Sequence, residues 1–413
     1  MGVMPNRLNR VALLYATFPR PTETFVRREI RAMHEHGFTP TLFSIWKGKQ
    51  EWKGIKIQRF KMLKLWTLLF WLPYWAFKKP RAFREVLIAL WSKSCPSIQN
   101  WNETFLGLGF ALVEAHQFRV HRYQLFHAVW ATMPGTAAFA LSKLLDVPFS
   151  MGAHAYDLFR AGGDWLLSEK FTKASMIRTS SNSSANRLIE MGLELGKIKV
   201  IRRGLTAFPE RSSYSLHDCG KISLISVGRL VEKKGYFYLL QILKLLRSRA
   251  ICNFQMKIVG NGPLKSDLEK EIQRLGISAY VQLVGARSEG EVKKLFIESD
   301  AMLFTGIISS NGDRDGIPNV IPEAMSAGSL VIASCYAGAS EAFIDGVSGF
   351  SLNPKEPYSW VELIEDYAQN SLKYKKIRKK AQLEVRDRFN INQTARKLIQ
   401  NFEKIALLDE PSS

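Results

Sequence analysis

The sequence predicts an α/β protein of two doubly wound domains facing across a cleft, with helices at the C-terminal end, and three observations carry this prediction. Short apolar runs alternate with amphipathic stretches along nearly the whole chain, which is the pattern of a parallel sheet covered by helices on both faces. The chain has 413 residues, too many for one ordinary domain and enough for two cores. The alternating series also breaks once, at a Pro- and Ser-containing stretch over 205–220, and then starts again.

In chain order, the first series opens with the strand-like VALLYATF from Val11, a helix over 23–36 and, after Gly37, TPTLFSIW. QLFHAVWA, a small-residue helix over 135–145, PFSMGAHAY, a helix over 166–173, SMIRTSS and IKVIRRG follow. These define a Rossmann-like domain over 1–204, ahead of the linker at 205–220. The second series, 221–375, runs KISLISVGRL, a helix over 235–249, FQMKIVGNGP, a helix over 264–275, YVQLVGA, a helix over 289–299, AMLFTG and, further on, SLVIASC. Charged helices over 376–413 close the chain and are expected to return toward the first domain. Open α/β sheets bind ligands at the carboxyl ends of their strands, so two facing sheets predict a ligand in the cleft between them.

Charge narrows the partners. The 58 Lys and Arg exceed the 37 Asp and Glu by 21, which calls for an anionic partner: nucleic acid, a membrane surface or a charged substrate. Eleven of the basic residues lie between Lys47 and Arg84 against the single acid Glu51. Inside that segment is LWTLLFWLPYWAF, too short to cross a bilayer but suited, with flanking lysines, to the headgroup region of an anionic leaflet. Lys61, Lys64, Trp66, Trp71, Lys78 and Lys79 are the candidate membrane contacts; a buried aromatic helix face is the alternative. The polar start MGVMPNRLNR does not read as a signal peptide, so a cytoplasmic location, peripheral on the inner face of the cell membrane, is expected. Cys95, Cys219, Cys252 and Cys335 are scattered without paired spacing, so neither a disulfide frame nor a metal site is expected, and no cofactor.

Two constellations carry chemistry. GDRDGIPNVIPEAMSAG places Asp315 in a turn broken by Gly316 and Pro318, with Pro322 and Glu323 in the first turn of a helix. Such an end suits a nucleotide phosphate, while carboxylates suit the hydroxyls of a ribose or hexose. An acidic helix start that merely answers the dipole would look the same. Upstream, Gly228-Arg229-Leu230 leaves a strand and Lys234-Gly235 begins the next helix, and two cations there neutralise a diphosphate without a metal.

Those motifs, together with Gly260-Asn261-Gly262-Pro263 and Asp315-Gly316-Ile317-Pro318 through Glu323-Ala324-Met325, resemble family 4 retaining glycosyltransferases of the GT-B fold. Phe18-Pro19, Glu23-Thr24-Phe25-Val26, Glu29-Ile30, His127-Ala128 and Ala153-His154-Ala155-Tyr156-Asp157 extend the resemblance to the subgroup that builds exopolysaccharide, colanic-acid-type and capsule repeat units on a lipid carrier. It implies that Arg229 and Lys234 hold the donor diphosphate, Glu323 takes the ribose hydroxyls and Asp315 contacts the transferred sugar. His154 would lie near the reacting centre, and Arg287 would border the base. It implies front-face attack with the leaving phosphate taking the acceptor proton, a nucleotide-sugar donor and a lipid-linked saccharide acceptor.

Two departures stand out. Position 315 is Asp where the family commonly has Glu, and Arg203-Gly204-Leu205-Thr206 replaces the usual Asn-Gly followed by Val-Asp. They keep a catalytically silent homologue, acting as a binding or assembly partner, as the alternative reading. A nucleic-acid binder would need a recognisable motif, and none is present.

Overall fold

The computed structural model describes residues 8, 10–20, 23–92, 94–209, 221–336 and 338–408. Most of the expected linker, 210–220, and Cys219 within it lie outside these residues. By its contacts the chain forms two units, Met1–Arg202 with Asn392–Ser413, and Arg203–Ile391.

The N-terminal unit is built on strands β1 (Val11–Phe18), β2 (Thr41–Gly48), β3 (Glu51–Trp52), β4 (Ile55–Arg59), β5 (Leu125–Ala128), β6 (Phe149–Gly152), β7 (Met176–Thr179) and β8 (Ile198–Val200). They align as β3-β4-β2-β1-β5-β6-β7-β8, parallel except for the β3–β4 hairpin. Strands β5, β6 and β7 are buried at every position, as a sheet covered on both faces requires. Helix α1 (Thr24–Glu35) follows β1.

Between β4 and β5 the chain makes a long helical excursion. A 3₁₀ turn (Met62–Thr67) leads into α2 (Leu68–Lys78), then α3 (Pro80–Ser92) and α4 (Ile98–Val120). The last is capped by Ser97, whose hydroxyl accepts from the Asn100 N–H. No helix among the described residues is long and apolar enough to cross a membrane. The unit continues through α5 (Met133–Leu145), α6 (Tyr156–Phe159), α7 (Leu167–Lys173) and α8 (Asn182–Glu190).

In the second unit β9 (Lys221–Val227), β10 (Asn253–Val259), β11 (Val281–Gly285), β12 (Ala301–Phe304), β13 (Leu330–Ser334) and β14 (Phe350–Leu352) align as β11-β10-β9-β12-β13-β14, all parallel. Helices α9 (Tyr236–Arg249), α10 (Lys265–Arg274), α11 (Glu289–Glu298), α12 (Val320–Ser326), α13 (Pro357–Gln369) and α14 (Lys375–Arg388) cover it. Alternation along β9 separates two cores. Ile222 and Leu224 join the apolar cluster that holds α9 and α13 residues, whereas Ile225 and Val227 join the one that holds α12 and α14 residues. The order of strand addition reverses between β9 and β12, from β9-β10-β11 on one side to β12-β13-β14 on the other, which is where a doubly wound sheet opens a crevice at its carboxyl edge.

The final helix, α15 (Ile391–Leu408), returns to the N-terminal unit. There Phe402 packs on Phe38 and on the His127 ring, and Thr394 Oγ1 donates to the Arg202 carbonyl at 3.0 Å.

Candidate functional site

The exits of β9 and β12 are stitched together by Lys234, Gly235 and Asp315, which the sequence singles out, and by their neighbours. After β9, Gly228-Arg229-Leu230 turns into a short 3₁₀ segment (Glu232–Lys234), and Gly235 then starts α9. Gly235 has φ +67°, and a Cβ there would lie 1.9 Å from the Thr305 carbonyl just past β12, so only glycine lets the two exits approach this closely. Thr305 Oγ1 donates to the Gly235 carbonyl at 3.0 Å, and the Ile307 N–H donates to the Lys233 carbonyl at 2.9 Å.

This stitching holds four charges in one place. Lys234 Nζ lies 2.7 Å from Asp315 Oδ2 and 5.1 Å from the centre of the Phe304 ring. Lys233 Nζ is 3.1 Å from Asp313 Oδ1 and 3.5 Å from Asp315 Oδ1. Glu232 anchors the same loop by accepting from the Ser310 N–H and hydroxyl. Burial alone would push the Asp315 carboxyl up, but Lys234 and Lys233 together outweigh it and hold the group below its ordinary value. Burial, reinforced by Asp315, also pushes the Tyr236 hydroxyl well up, so it stays protonated.

Arg229 stands at the same β9 exit with its side chain exposed, and its guanidinium has no hydrogen-bond or ion-pair partner among the described residues. The Gly338 N–H, past β13, donates to the Asp315 carbonyl at 3.4 Å. Glu323 is half-buried in the first turn of α12, directly behind Pro322. Arg287 stands apart: it is exposed just past the edge strand β11, two strand spacings or about 10 Å from β9.

In the N-terminal unit, His154 follows β6 and is buried. Its ring lies edge-on to Trp130, with centroids 5.3 Å apart. Asp157 organises the surrounding loop by accepting from the N–H groups of His154 at 3.0 Å, Ala155 at 2.8 Å and Ala131 at 3.4 Å. Burial pushes the Asp157 carboxyl up, against the lowering effect of those bonds. Ala131 is held from its other side, because the fully buried Lys170 donates to its carbonyl at 2.5 Å while pairing with Asp164.

The basic aromatic segment is two-faced. Leu65, Leu68, Trp71 and Trp75 turn inward: Trp75 Nε1 donates to the Leu112 carbonyl at 2.9 Å, and Trp71 stacks on His116. Trp66, Leu69, Phe70, Pro73 and Phe77 turn outward at helical spacing, with Trp66 75% and Phe77 91% exposed. On α3, Leu87, Ile88 and Trp91 repeat this, Trp91 being 94% exposed. Among the lysines expected at a membrane, Lys64 pairs with Glu114 at 2.6 Å and Lys79 pairs with Asp146. Lys61 is exposed, and Lys78 reaches the Tyr74 hydroxyl at 3.0 Å.

Residues 210–384, which include Arg229, Lys234, Arg287, Asp315 and Glu323, match the family model described as glycosyl transferases group 1. The chain carries a group 1 glycosyl transferase domain. The amylovoran biosynthesis glycosyltransferase AmsK of Erwinia amylovora is 28% identical over 238 residues, 57% of this chain and 58% of that protein. WcaL of Salmonella typhimurium, assigned to colanic acid biosynthesis, is 30% identical over 182 residues, 44% of each. The chain thus spans about half the length of the curated relatives it matches. Anabaena HepE, solved with UDP-glucose, superposes with a TM-score of 0.69 at 16% identity, covering 96% of this chain and 99% of that one. At that identity the likeness establishes the GT-B fold.

Within the group 1 domain, sequence reasoning passed over Lys233 and Asp313. Their signal lay in the doublet Lys233-Lys234 and the pair Asp313 and Asp315 two residues apart. Which lysine meets which acid depends on the β9–β12 approach, and no spacing encodes it.

Proposed function

We propose that this protein is a retaining glycosyltransferase that moves a sugar from a nucleoside diphosphate donor to a lipid-linked saccharide in bacterial surface polysaccharide biosynthesis. The observation that carries the reading is the grouping of Arg229, Lys234 and Asp315 where β9 and β12 diverge. Arg229 has no partner among the described residues and Lys234 is held by a single carboxylate, so both are positioned to receive a diphosphate. In this reading Glu323 takes the ribose hydroxyls, Asp315 positions the transferred sugar, and Arg287 borders the base. His154 is the catalytic group contributed by the N-terminal unit.

In the reaction, the bond from the anomeric carbon to the diphosphate oxygen breaks and the bond to the acceptor oxygen forms on the same face. The acceptor proton passes to the departing diphosphate. Arg229 and Lys234 stabilise the charge that the leaving group develops. The related fold of HepE holds UDP-glucose, which makes UDP-sugars the first donors to test. The domain's similarity to AmsK, a glycosyltransferase of amylovoran biosynthesis, supports a polysaccharide repeat unit as acceptor. The outward apolar faces of α2 and α3, with Lys61, Lys78, Arg81 and Arg84 beside them in the sequence, support peripheral contact with an anionic leaflet where a lipid-linked acceptor resides.

The test is nucleoside diphosphate release from a panel of UDP-, GDP- and ADP-sugars in the presence of membrane lipid extract, with Arg229→Ala and Glu323→Ala as controls. Release from one donor, lost in both variants, supports the reading and names the donor. Nucleotide binding without release from any donor leaves the silent-homologue alternative standing.

A further inference from the structure

We propose that Lys233 is a positioning residue that takes over as counter-ion of Asp315 when Lys234 turns to the donor diphosphate. This rests on the donor reading given above for Lys234. Each lysine addresses a different oxygen of the same carboxylate: Lys234 is 2.7 Å from Oδ2, and Lys233 is 3.5 Å from Oδ1. In the free protein two lysines balance two acids, because Lys233 also holds Asp313 at 3.1 Å.

A diphosphate changes that balance. If Lys234 serves the phosphates, its bond to Asp315 weakens just as new negative charge arrives. The side chain of Asp315 is only 18% exposed, so water compensates poorly, and a carboxylate so placed takes up a proton unless another cation replaces the first. A protonated Asp315 would lose its acceptor capacity toward sugar hydroxyls. Lys233 is already within reach, and its backbone cannot drift, because its carbonyl accepts from the Ile307 N–H at 2.9 Å. The neighbouring Glu232 holds Ser310 of the same loop. Moving from a shared to a dedicated pair with Asp315 asks of Lys233 only a side-chain adjustment. The charged groups that act most strongly on Asp315 are Lys234 and Lys233, and Tyr236 is the neutral hydroxyl that feels it. Asp313 competes for Lys233 and sets how much of it Asp315 receives.

Proton linkage on donor binding reads this out without turnover. UDP-glucose serves as the probe, since its diphosphate does not titrate near pH 5.5. Calorimetric binding in buffers of different ionisation enthalpy then gives the protons taken up per donor bound. Lys233→Met is expected to take up roughly half to one proton more than the native protein at pH 5.5. Lys233→Arg should behave as native. Asp313→Asn also breaks the Lys233–Asp313 bond but frees Lys233 for Asp315, so it should show no extra uptake, whereas a merely loosened loop would show it in both variants.

Equal uptake in native and Lys233→Met proteins, or equal extra uptake in Lys233→Met and Asp313→Asn, overturns the handover while leaving the donor reading intact. Failure of the native protein to bind any nucleoside diphosphate sugar overturns both.

Discussion

Lys234 Nζ sits 2.7 Å from Asp315 Oδ2 across the gap between the β9 and β12 exits. Each side chain is less than one-fifth exposed, so the pair is too buried to be dismissed as a surface ion pair. A carboxyl held below its ordinary value stabilises the fold fully above that ordinary value, near 4, and loses this as pH falls through the folded-state value. Asp315→Asn should therefore unfold more easily than the native chain at pH 7, on the order of 1–3 kcal/mol by denaturant titration. The two titrations should converge as pH falls through the folded-state value of Asp315; a gap that persists in acid would show that the charge is not what stabilises.

His127 carries a pH dependence of the opposite origin. Burial, with a smaller effect from Arg178, pushes its ring down to about 3, and Ser150 bonds it at 2.8 Å. The unfolded chain takes the proton first as pH falls below about 6.5, so native stability declines between there and about 3. Replacing this ring by an uncharged side chain in His127→Gln should flatten that decline, by an amount on the order of 4 kcal/mol at most. An unchanged acid limb in urea titrations would assign the decline to other groups.

The Lys170–Asp164 pair is the most deeply buried ion pair described, and Asn100 Nδ2 completes it at 2.7 Å from Asp164 Oδ1. Removing one partner leaves an uncompensated buried charge, so Lys170→Met should cost about 3–5 kcal/mol. Lys170→Met with Asp164→Leu should recover much of that loss. A double variant no better than the single one would locate the cost in the lost Ala131 contact instead.

The outward face of α2 and α3 predicts vesicle binding. Trp66→Ser with Phe77→Ser should weaken flotation with vesicles containing acidic phospholipid several-fold while leaving the melting temperature unchanged, since neither side chain packs on the core. Lys61→Glu with Lys78→Glu should add a salt-dependent loss. Native binding by all four substitutions together would remove the membrane from the account of this face.

Most of the strands were legible because parallel strands buried on both faces are short apolar runs, and β5, β6, β12 and β13 are of that kind, whereas their order across each sheet was not. The helix of the acidic turn was equally legible, since Gly316 and Pro318 exclude helix until Val320, where α12 begins. For the excursion over 62–120 the sequence leaves open a membrane-facing segment or a buried helix face, and the structure shows helices that do both. Its α2 is apolar on nearly every side, so periodicity could not separate the face that packs from the face that does not. Trp66 and Trp71, equal candidates by composition, part there: one is exposed and the other stacks on His116.

The amino-acid sequence by itself determined two α/β sheets, the strand exits that carry Arg229, Lys234 and Asp315, and a basic aromatic segment between β4 and β5. These follow from local rules: side-chain period, backbone limits at Gly and Pro, and charge counted along the chain. Only the tertiary structure decided that Lys233 shares Asp315 with Lys234, that Lys170 and Asp157 hold Ala131 from two sides, and that Trp66 rather than Trp71 faces outward. Each is a meeting of residues from different elements, set by how closely strands and helices approach, and a linear pattern carries no record of that distance.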